Sequence, residues 1–137
     1  VAETVRLEVV TPDREVLAVD TEEVVALPGG DGLFGVLPGH CPFMTTLSPG
    51  IVAYLKDKDH ETALVVAGGF ALVQDDKVTV LAEAAELPGE IDLEAARREL
   101  ADAQAALPTA AAGEAEAAAR DRVALNESRV EVVARCR

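Results

Sequence analysis

No apolar run in this chain exceeds eleven residues, and that run, ALVVAGGFALV from Ala63 to Val73, contains two glycines. A chain cut so finely must build its core from short elements. A membrane-spanning helix takes roughly 20 apolar residues, so none is expected. Val5, Leu7 and Val9 alternate with Arg6 and Glu8, the period of a half-buried strand. Comparable runs follow at REVLAV, EEVVAL, LFGVL, FMTTL, IVAYL, TALVVA, FALV and KVTVLAE. Turn residues part them: TPD, PGGDG, PGHCP, SPG, KDKD, the glycine pair Gly68-Gly69, and QDD. Many short strands at close spacing predict a β-sandwich or barrel. No helix of useful length fits between them, which argues against a parallel α/β sheet.

Leu87-Pro88-Gly89 punctuates the chain, and the period changes beyond it. The segment 89–137 holds fifteen alanines, while Phe34, Phe43, Tyr54 and Phe70, the only aromatics, all lie earlier. Asp92 is placed to cap a helix, its carboxylate accepting from free first-turn amides. Leu93, Ala96, Leu100, Ala103 and Leu107 then form one narrow apolar stripe. Glu94–Arg98 and Arg98–Asp102 have the spacing of favourable i,i+4 pairs. Pro108 stops this helix. A second runs over about 114–136, with Glu114 and Glu116 at its positive end and a stripe through Ala119, Val123, Asn126, Val130 and Val133. The division expected is a β-sandwich over 1–88 and a two-helix hairpin over 89–137. A seam of alanine and valine offers little area at roughly 25 cal/mol per Å², so weak docking and a hinge at Pro88-Gly89 are expected.

Charge narrows the partners. The net charge of −13 argues against nucleic acid and against direct contact with an anionic membrane. Fifteen acids and five bases fall within 1–88, ten acids and seven bases within 89–137. From Arg120 onward five arginines face only Asp121, Glu127 and Glu131, so the last helix ends positive. Cys41 and Cys136 form no CxxC pair, and reduced thiols are expected. The opening VAETVRLEVV enters a strand pattern without the basic and apolar blocks of a signal peptide, which suggests a cytoplasmic setting.

The stretch Leu27–Gly50, LPGGDGLFGVLPGHCPFMTTLSPG, concentrates six of the ten glycines and four of the seven prolines. A Walker loop would need GxxxxGK[ST], yet Lys56, Lys58 and Lys77 all lie elsewhere. Gly30, Gly32 and Gly35 have the spacing of GxGxxG, but a strand follows where that motif requires a helix. His40 beside Cys41 lacks an orienting third group, Ser48 sits in a turn without a nucleophile elbow, and His40 and His60 have no metal-ligand spacing. Neither catalysis nor a bound cofactor or metal is expected. Two readings remain from the residues: tight turns carrying an apolar contact patch at LFGVL, or a stand-alone ligand-binding sandwich with a helical tail. With four aromatics in the chain, the ligand module is the poorer of the two.

That stretch resembles the signature of the epsilon subunit of F-type ATP synthases, written loosely PGxxGxxGVLPGHxPxxTxLxPG. VRLEVVTPDREVL and VVAGGFALVQDDKVTVLAEAAE are similar to the first and later strands of that family. The resemblance implies a ten-stranded β-sandwich with two C-terminal helices and no catalysis. It implies a place in the central stalk of a proton-translocating rotary motor, with the gamma subunit, the c-subunit ring and the alpha and beta subunits of the catalytic head as partners. Peripheral attachment at the cytoplasmic face of a bacterial inner membrane, through the complex alone, is implied with it.

By motif, Asp31, Gly32, Leu33 and Phe34 correspond to the loop that meets the c ring. Leu33 stands where some members carry an acid, implying a more apolar contact. Pro38, Gly39, His40 and Pro42 correspond to the edge facing gamma. Arg120, Arg122, Arg129 and Arg135 lie on the helix whose extension restrains ATP hydrolysis in the family. Some members bind ATP through [IL]DxxRA; here Ile91-Asp92-Leu93-Glu94-Ala95-Ala96 puts Ala95 where the arginine belongs. Arg97 and Arg98 fall on other helical faces, so ATP binding is not expected.

Overall fold

The computed structural model describes residues 4–29, 32–37, 39, 42–57 and 60–135. Ten strands and two helices follow one another within them. The strands are β1 (Val5–Val10), β2 (Glu15–Thr21), β3 (Glu23–Gly29), β4 (Gly32–Val36), β5 (Phe43–Leu47), β6 (Gly50–Asp57), β7 (His60–Val66), β8 (Gly69–Gln74), β9 (Lys77–Ala82) and β10 (Ala85–Glu86). Each apolar run read from the sequence becomes a strand. The two-residue β10 has no run of its own.

Hydrogen bonding follows the order β10-β7-β6-β3-β5-β8-β9-β1-β2, with β4 on β3. The pairs are antiparallel except β1 with β9. β3 and β5 join at one position, Gly29 opposite Leu47, where the ladder folds over into two layers. Alternate residues fill the space between: Val5, Leu7 and Val9 of β1, Val24 and Leu27 of β3, Val52 and Tyr54 of β6, Leu64 and Val66 of β7, Val78 and Val80 of β9. Each fully buried Leu or Val contributes about 1.5–3 kcal/mol relative to exposure.

Two turns set the register of the second layer. Asp75 and Asp76 both take positive φ, 52° and 57°, the left-handed pair that suits a two-residue hairpin between β8 and β9. At Gly69, φ is +142° and a Cβ would lie 2.0 Å from the Leu81 carbonyl oxygen, so only glycine fits.

Beyond β10 a 3-10 turn over Pro88–Glu90 leads to α1 (Leu93–Ala106) and α2 (Glu114–Arg135). Asp92 caps α1, accepting from the Ala95 amide at 3.1 Å. Ala96 and Ala103 are buried in α1, and Pro108 closes the helix in a second 3-10 turn. The outward residues of β6 and β7, Ala53, Ala63 and Val65, pack against Val132 and Val133 of α2, with Leu125, Ile91 and Leu93 at the margin. These two strands are therefore buried on both faces.

The expected α2 stripe requires correction. Asn126, Ser128, Val132 and Val133 are its buried residues, while Ala119, Val123 and Val130 are half-buried. One helix here meets both α1 and the sheet, so its covered arc is wider than a single stripe. The seam itself is alanine and valine as expected, with Val132 and Val133 each contributing about 2 kcal/mol of side-chain burial. α1 pairs across to its neighbour, Glu99 with Arg122 at 3.0 Å, rather than along its own length.

Candidate functional site

Three surfaces carry the residues singled out by the sequence. The first is the glycine-proline stretch. β3 and β4 pair Leu27 with Phe34, Pro28 with Leu33 and Gly29 with Gly32. Asp31 lies outside the described residues, as do the side-chain surroundings of Gly32 and Leu33. The Phe34 ring is half-buried against the sandwich core and meets Phe43 edge to face, centroids 5.3 Å apart. Val36 is fully buried, and Leu37 is 57% exposed. Within LFGVL, Phe34 and Val36 thus turn toward the core while Leu37 stays open, and the Phe34–Phe43 contact joins β4 to β5.

Pro38, His40 and Cys41 also lie outside the described residues. Between them Gly39 takes φ +83°, and its N–H donates to the Asp76 carboxylate at 2.6 Å. That bond ties Gly39 to the β8–β9 turn. Pro42 is exposed. Gly50 has a packing reason, since a Cβ there would come 2.7 Å from the Pro28 ring.

The second surface was not singled out from the sequence. On the outer face of β5, β8 and β9, Met44, Phe70, Leu72 and Leu81 are 68%, 51%, 40% and 53% exposed. Register makes them neighbours: Met44 opposite Leu72, Phe70 opposite Leu81. Val10 of β1 lies opposite Leu81, and a groove of about 400 Å³ runs between Val10, Pro12, Phe70, Leu81 and Glu83. Its signal was present in GFALVQ, where both alternating sets are apolar. A strand with one wet face should alternate, so the second apolar set marks a covered face.

The third surface is the hairpin. Arg120 pairs with Glu116 along α2 at 2.6 Å, and Arg122 reaches Glu99 of α1. Arg129 crosses to the sandwich. Its Nη2 donates to Glu86 Oε2 at 3.2 Å, and its Nη1 to Asn126 Oδ1 at 3.1 Å. Its Nε lies 2.9 Å from Glu86 Oε1 but too far out of line for a hydrogen bond, so that contact is ionic. The side-chain surroundings of Arg135 are outside the described residues.

At the root of the hairpin, Arg14 donates to both oxygens of Glu90 at 2.8 and 2.7 Å. Glu90 Oε1 also accepts from the Leu87 amide at 3.0 Å. These bonds, first that from Arg14 and then that from Leu87, hold the Glu90 carboxyl below its ordinary range, and the same pair raises the Arg14 guanidinium.

Among the described residues no group of three or more His, Cys, Asp or Glu could hold a metal. No helix among them is long and apolar enough to cross a membrane. Ala95 leaves no side chain to bind phosphate, and Asp92 is occupied as a cap.

A family model described as ATP synthase, delta/epsilon chain, beta-sandwich domain matches residues 4–88. The chain belongs to the ATP synthase delta/epsilon family. An ATP synthase epsilon chain of Myxococcus xanthus (strain DK1622) is 48% identical over 98 residues, 72% of this chain and 71% of that one. One from Anaeromyxobacter sp. (strain K) is 48% identical over 99 residues, 72% and 73% of the two chains. Among solved structures, a chain of the Euglena gracilis mitochondrial ATP synthase, resolved with OSCP, F1 and c-ring, matches with TM-score 0.77 at 24% identity. That match covers 96% of this chain and 81% of the other, and shows the shared fold. The family resemblance read from LPGGDGLFGVLPGH is borne out. The relatives are epsilon chains, and this member of the ATP synthase complex is not its catalytic subunit.

Proposed function

We propose that this chain serves in the central stalk, docking on the gamma subunit through the outer face of β5, β8 and β9 and the adjoining Gly39–Pro42 turn. The β3–β4 tip, residues 31–34, meets the c-subunit ring. Through these contacts the chain couples the rotor to proton flow, at the cytoplasmic face of the inner membrane and without lipid contacts of its own. The observation that carries the gamma assignment is the exposed set Met44, Phe70, Leu72 and Leu81. Four large apolar side chains adjoining on one sheet face need a partner to exclude water. The groove beside Phe70 has an open apolar floor and a single carboxylate at its rim. It suits a partner's side chain better than a metabolite, which would need several converging polar groups.

The hairpin restrains ATP hydrolysis in this reading. Arg120, Arg122 and Arg129 are each paired with a glutamate of the same chain in the docked state. On extension they exchange those partners for acids on the alpha and beta subunits, an exchange with little net cost in charge. Nucleotide does not regulate it through α1, because Ala95 removes the forked donor that phosphate needs.

The test is capture of gamma by Phe70→Asp and Leu81→Asp, with Ala111→Asp on the hairpin loop as control. A loss of tenfold or more in affinity is expected for the first two, as for central apolar anchors, with unchanged circular dichroism. Equal affinity for all three would overturn the assignment.

A further inference from the structure

Two arginine–glutamate pairs hold the root of the hairpin to the sandwich; one lies wholly before the short segment Ile91-Asp92, and the other spans it. Upstream, Arg14 of the β1–β2 turn grips Glu90 through both carboxylate oxygens. The 3-10 turn beneath is closed on itself, with Glu90 N–H donating to the Leu87 carbonyl at 2.9 Å and Ile91 N–H to that of Pro88 at 3.3 Å. Leu87 packs on the sandwich core. Gly89 needs no glycine here, since a Cβ would meet nothing within 4 Å. Downstream, Arg129 of α2 holds Glu86 of β10, steadied by Asn126. Asn126 is buried and donates its own Nδ2 to the Arg122 carbonyl at 2.9 Å. Between Glu90 and α1, Ile91 and Asp92 are extended, with φ,ψ of −89°,126° and −84°,107°.

We propose that the hairpin pivots at Ile91-Asp92 rather than at Pro88-Gly89. In this division of labour Arg14–Glu90 keeps the Pro88–Glu90 turn on the sandwich, and Glu86–Arg129 is the latch that opens. Asn126 acts as a positioning residue for the Arg129 fork. The inference rests on the reading above that the hairpin leaves the sandwich, and it says where the chain bends when it does. Geometry favours this pivot. Moving the chain at Gly89 would break the Arg14 fork, the Leu87 bond and both turn bonds together. Rotation at Ile91-Asp92 breaks no backbone hydrogen bond of the turn before Ile91 or of α1 after it.

Hydrogen exchange on the full chain tests this, residue by residue. In Glu86→Gln and in Arg129→Met, amides of α2 facing the sheet, at Val132 and Val133, are expected to exchange about two- to fivefold faster, the scale of losing one partly exposed ion pair. The Leu87, Glu90 and Ile91 amides should keep their wild-type rates. In Glu90→Gln the pattern reverses, with Leu87 and Glu90 accelerated. Acceleration of Leu87 and Glu90 in step with α2 in the latch variants would move the pivot back to Gly89 and overturn the proposal. Unchanged α2 exchange in both latch variants would remove Glu86–Arg129 as the latch. ATP hydrolysis by the assembled complex is read separately, so a hairpin that opens as described yet does not inhibit would overturn the regulatory reading and leave the pivot standing.

Discussion

Phe34 and Phe43 meet edge to face across the two strands that flank the PGH turn, their ring planes at 76°. The contact gives two residues at positions that the family signature leaves open a structural task. It clamps β4 to β5, so the turn between them leaves and re-enters the sheets at fixed points. Gly39 N–H on the Asp76 carboxylate fixes the same turn from the other side.

Replacing Phe34 should therefore act on folding before it acts on any partner. Phe34→Ala is expected to cost about 2 kcal/mol, below the 3–5 kcal/mol of a fully buried ring because Phe34 is only half-buried. Met44→Ala, on the open face, should fall within about 0.5 kcal/mol of wild type. Urea unfolding followed by circular dichroism compares the two. Equal stability losses would mean that the ring pair clamps nothing.

Gly69→Ala should be among the most damaging single changes in the sandwich. The added methyl collides with the Leu81 carbonyl on the paired strand, and φ of +142° is strained for any L side chain. The expected loss is about 3 kcal/mol or more. The adjoining Gly68, whose Cβ would meet the Leu47 carbonyl oxygen only at 3.4 Å, should tolerate alanine better, its cost coming from φ of +114° alone. A thermal melt of the two variants that reversed this order would contradict the close approach of β8 to β9.

Acid should loosen the root of the hairpin. Glu90 has a folded pKa below its ordinary 4.5, chiefly through Arg14. A depressed carboxyl stabilises the fold at all pH above its unfolded value and loses that contribution as pH falls through the folded value. The difference in Leu87 amide protection between wild type and Glu90→Gln should thus be constant from neutral pH to just above 4.5, shrink as pH falls below that, and vanish once pH has passed the folded value. Raised ionic strength should shrink it at every pH, since both side chains are exposed. A difference that survived at pH 2 would mean the Glu90 carboxylate is not what holds the turn.

The free chain should bind no ATP. Calorimetry with magnesium ATP is expected to give no saturable heat, because Ala95 has no donor and Asp92 already caps α1. Tight binding would show that Arg97 or Arg98, both exposed on α1, reach phosphate from another face.

How far the sequence spoke depended on period. Strands with strict alternation, Val5 to Val9 above all, were legible to the residue, and so was the Asp92 cap. β10 was not: two residues paired with Val65 and Val66 carry no period. The outer face escaped because Phe70 and Leu72 were read with Ala71 and Val73 as one apolar run, when register sends them to opposite sides. The docking of α2 escaped for a related reason. Its residues meet two neighbours, and a single stripe at helical spacing describes only one. Long-range pairs such as Arg14–Glu90 and Arg129–Glu86 leave no local pattern at all.

Removing the hairpin is the broadest test, and the structure changes where to cut. A chain ending at Pro88 loses Glu90, and with it the Arg14 fork and the Leu87 cap, besides exposing Ala53, Ala63 and Val65. A chain ending at Asp92 exposes the same apolar face but keeps the turn closed. Both should fold, since the core between the two sheet layers, Leu7, Leu27 and Leu64 among its side chains, lies wholly within residues 4–88. The longer one should be the more stable by urea titration, and each should fall below the full chain by about 3–4 kcal/mol for the lost burial of Val132 and Val133. In the assembled complex either truncation is expected to bind gamma, support ATP synthesis and raise ATP hydrolysis, because the restraining helices are gone and the outer face of β5, β8 and β9 is untouched. If hydrolysis by the complex matched that with the full chain at low salt, the hairpin would be a prop for the sandwich and not a brake.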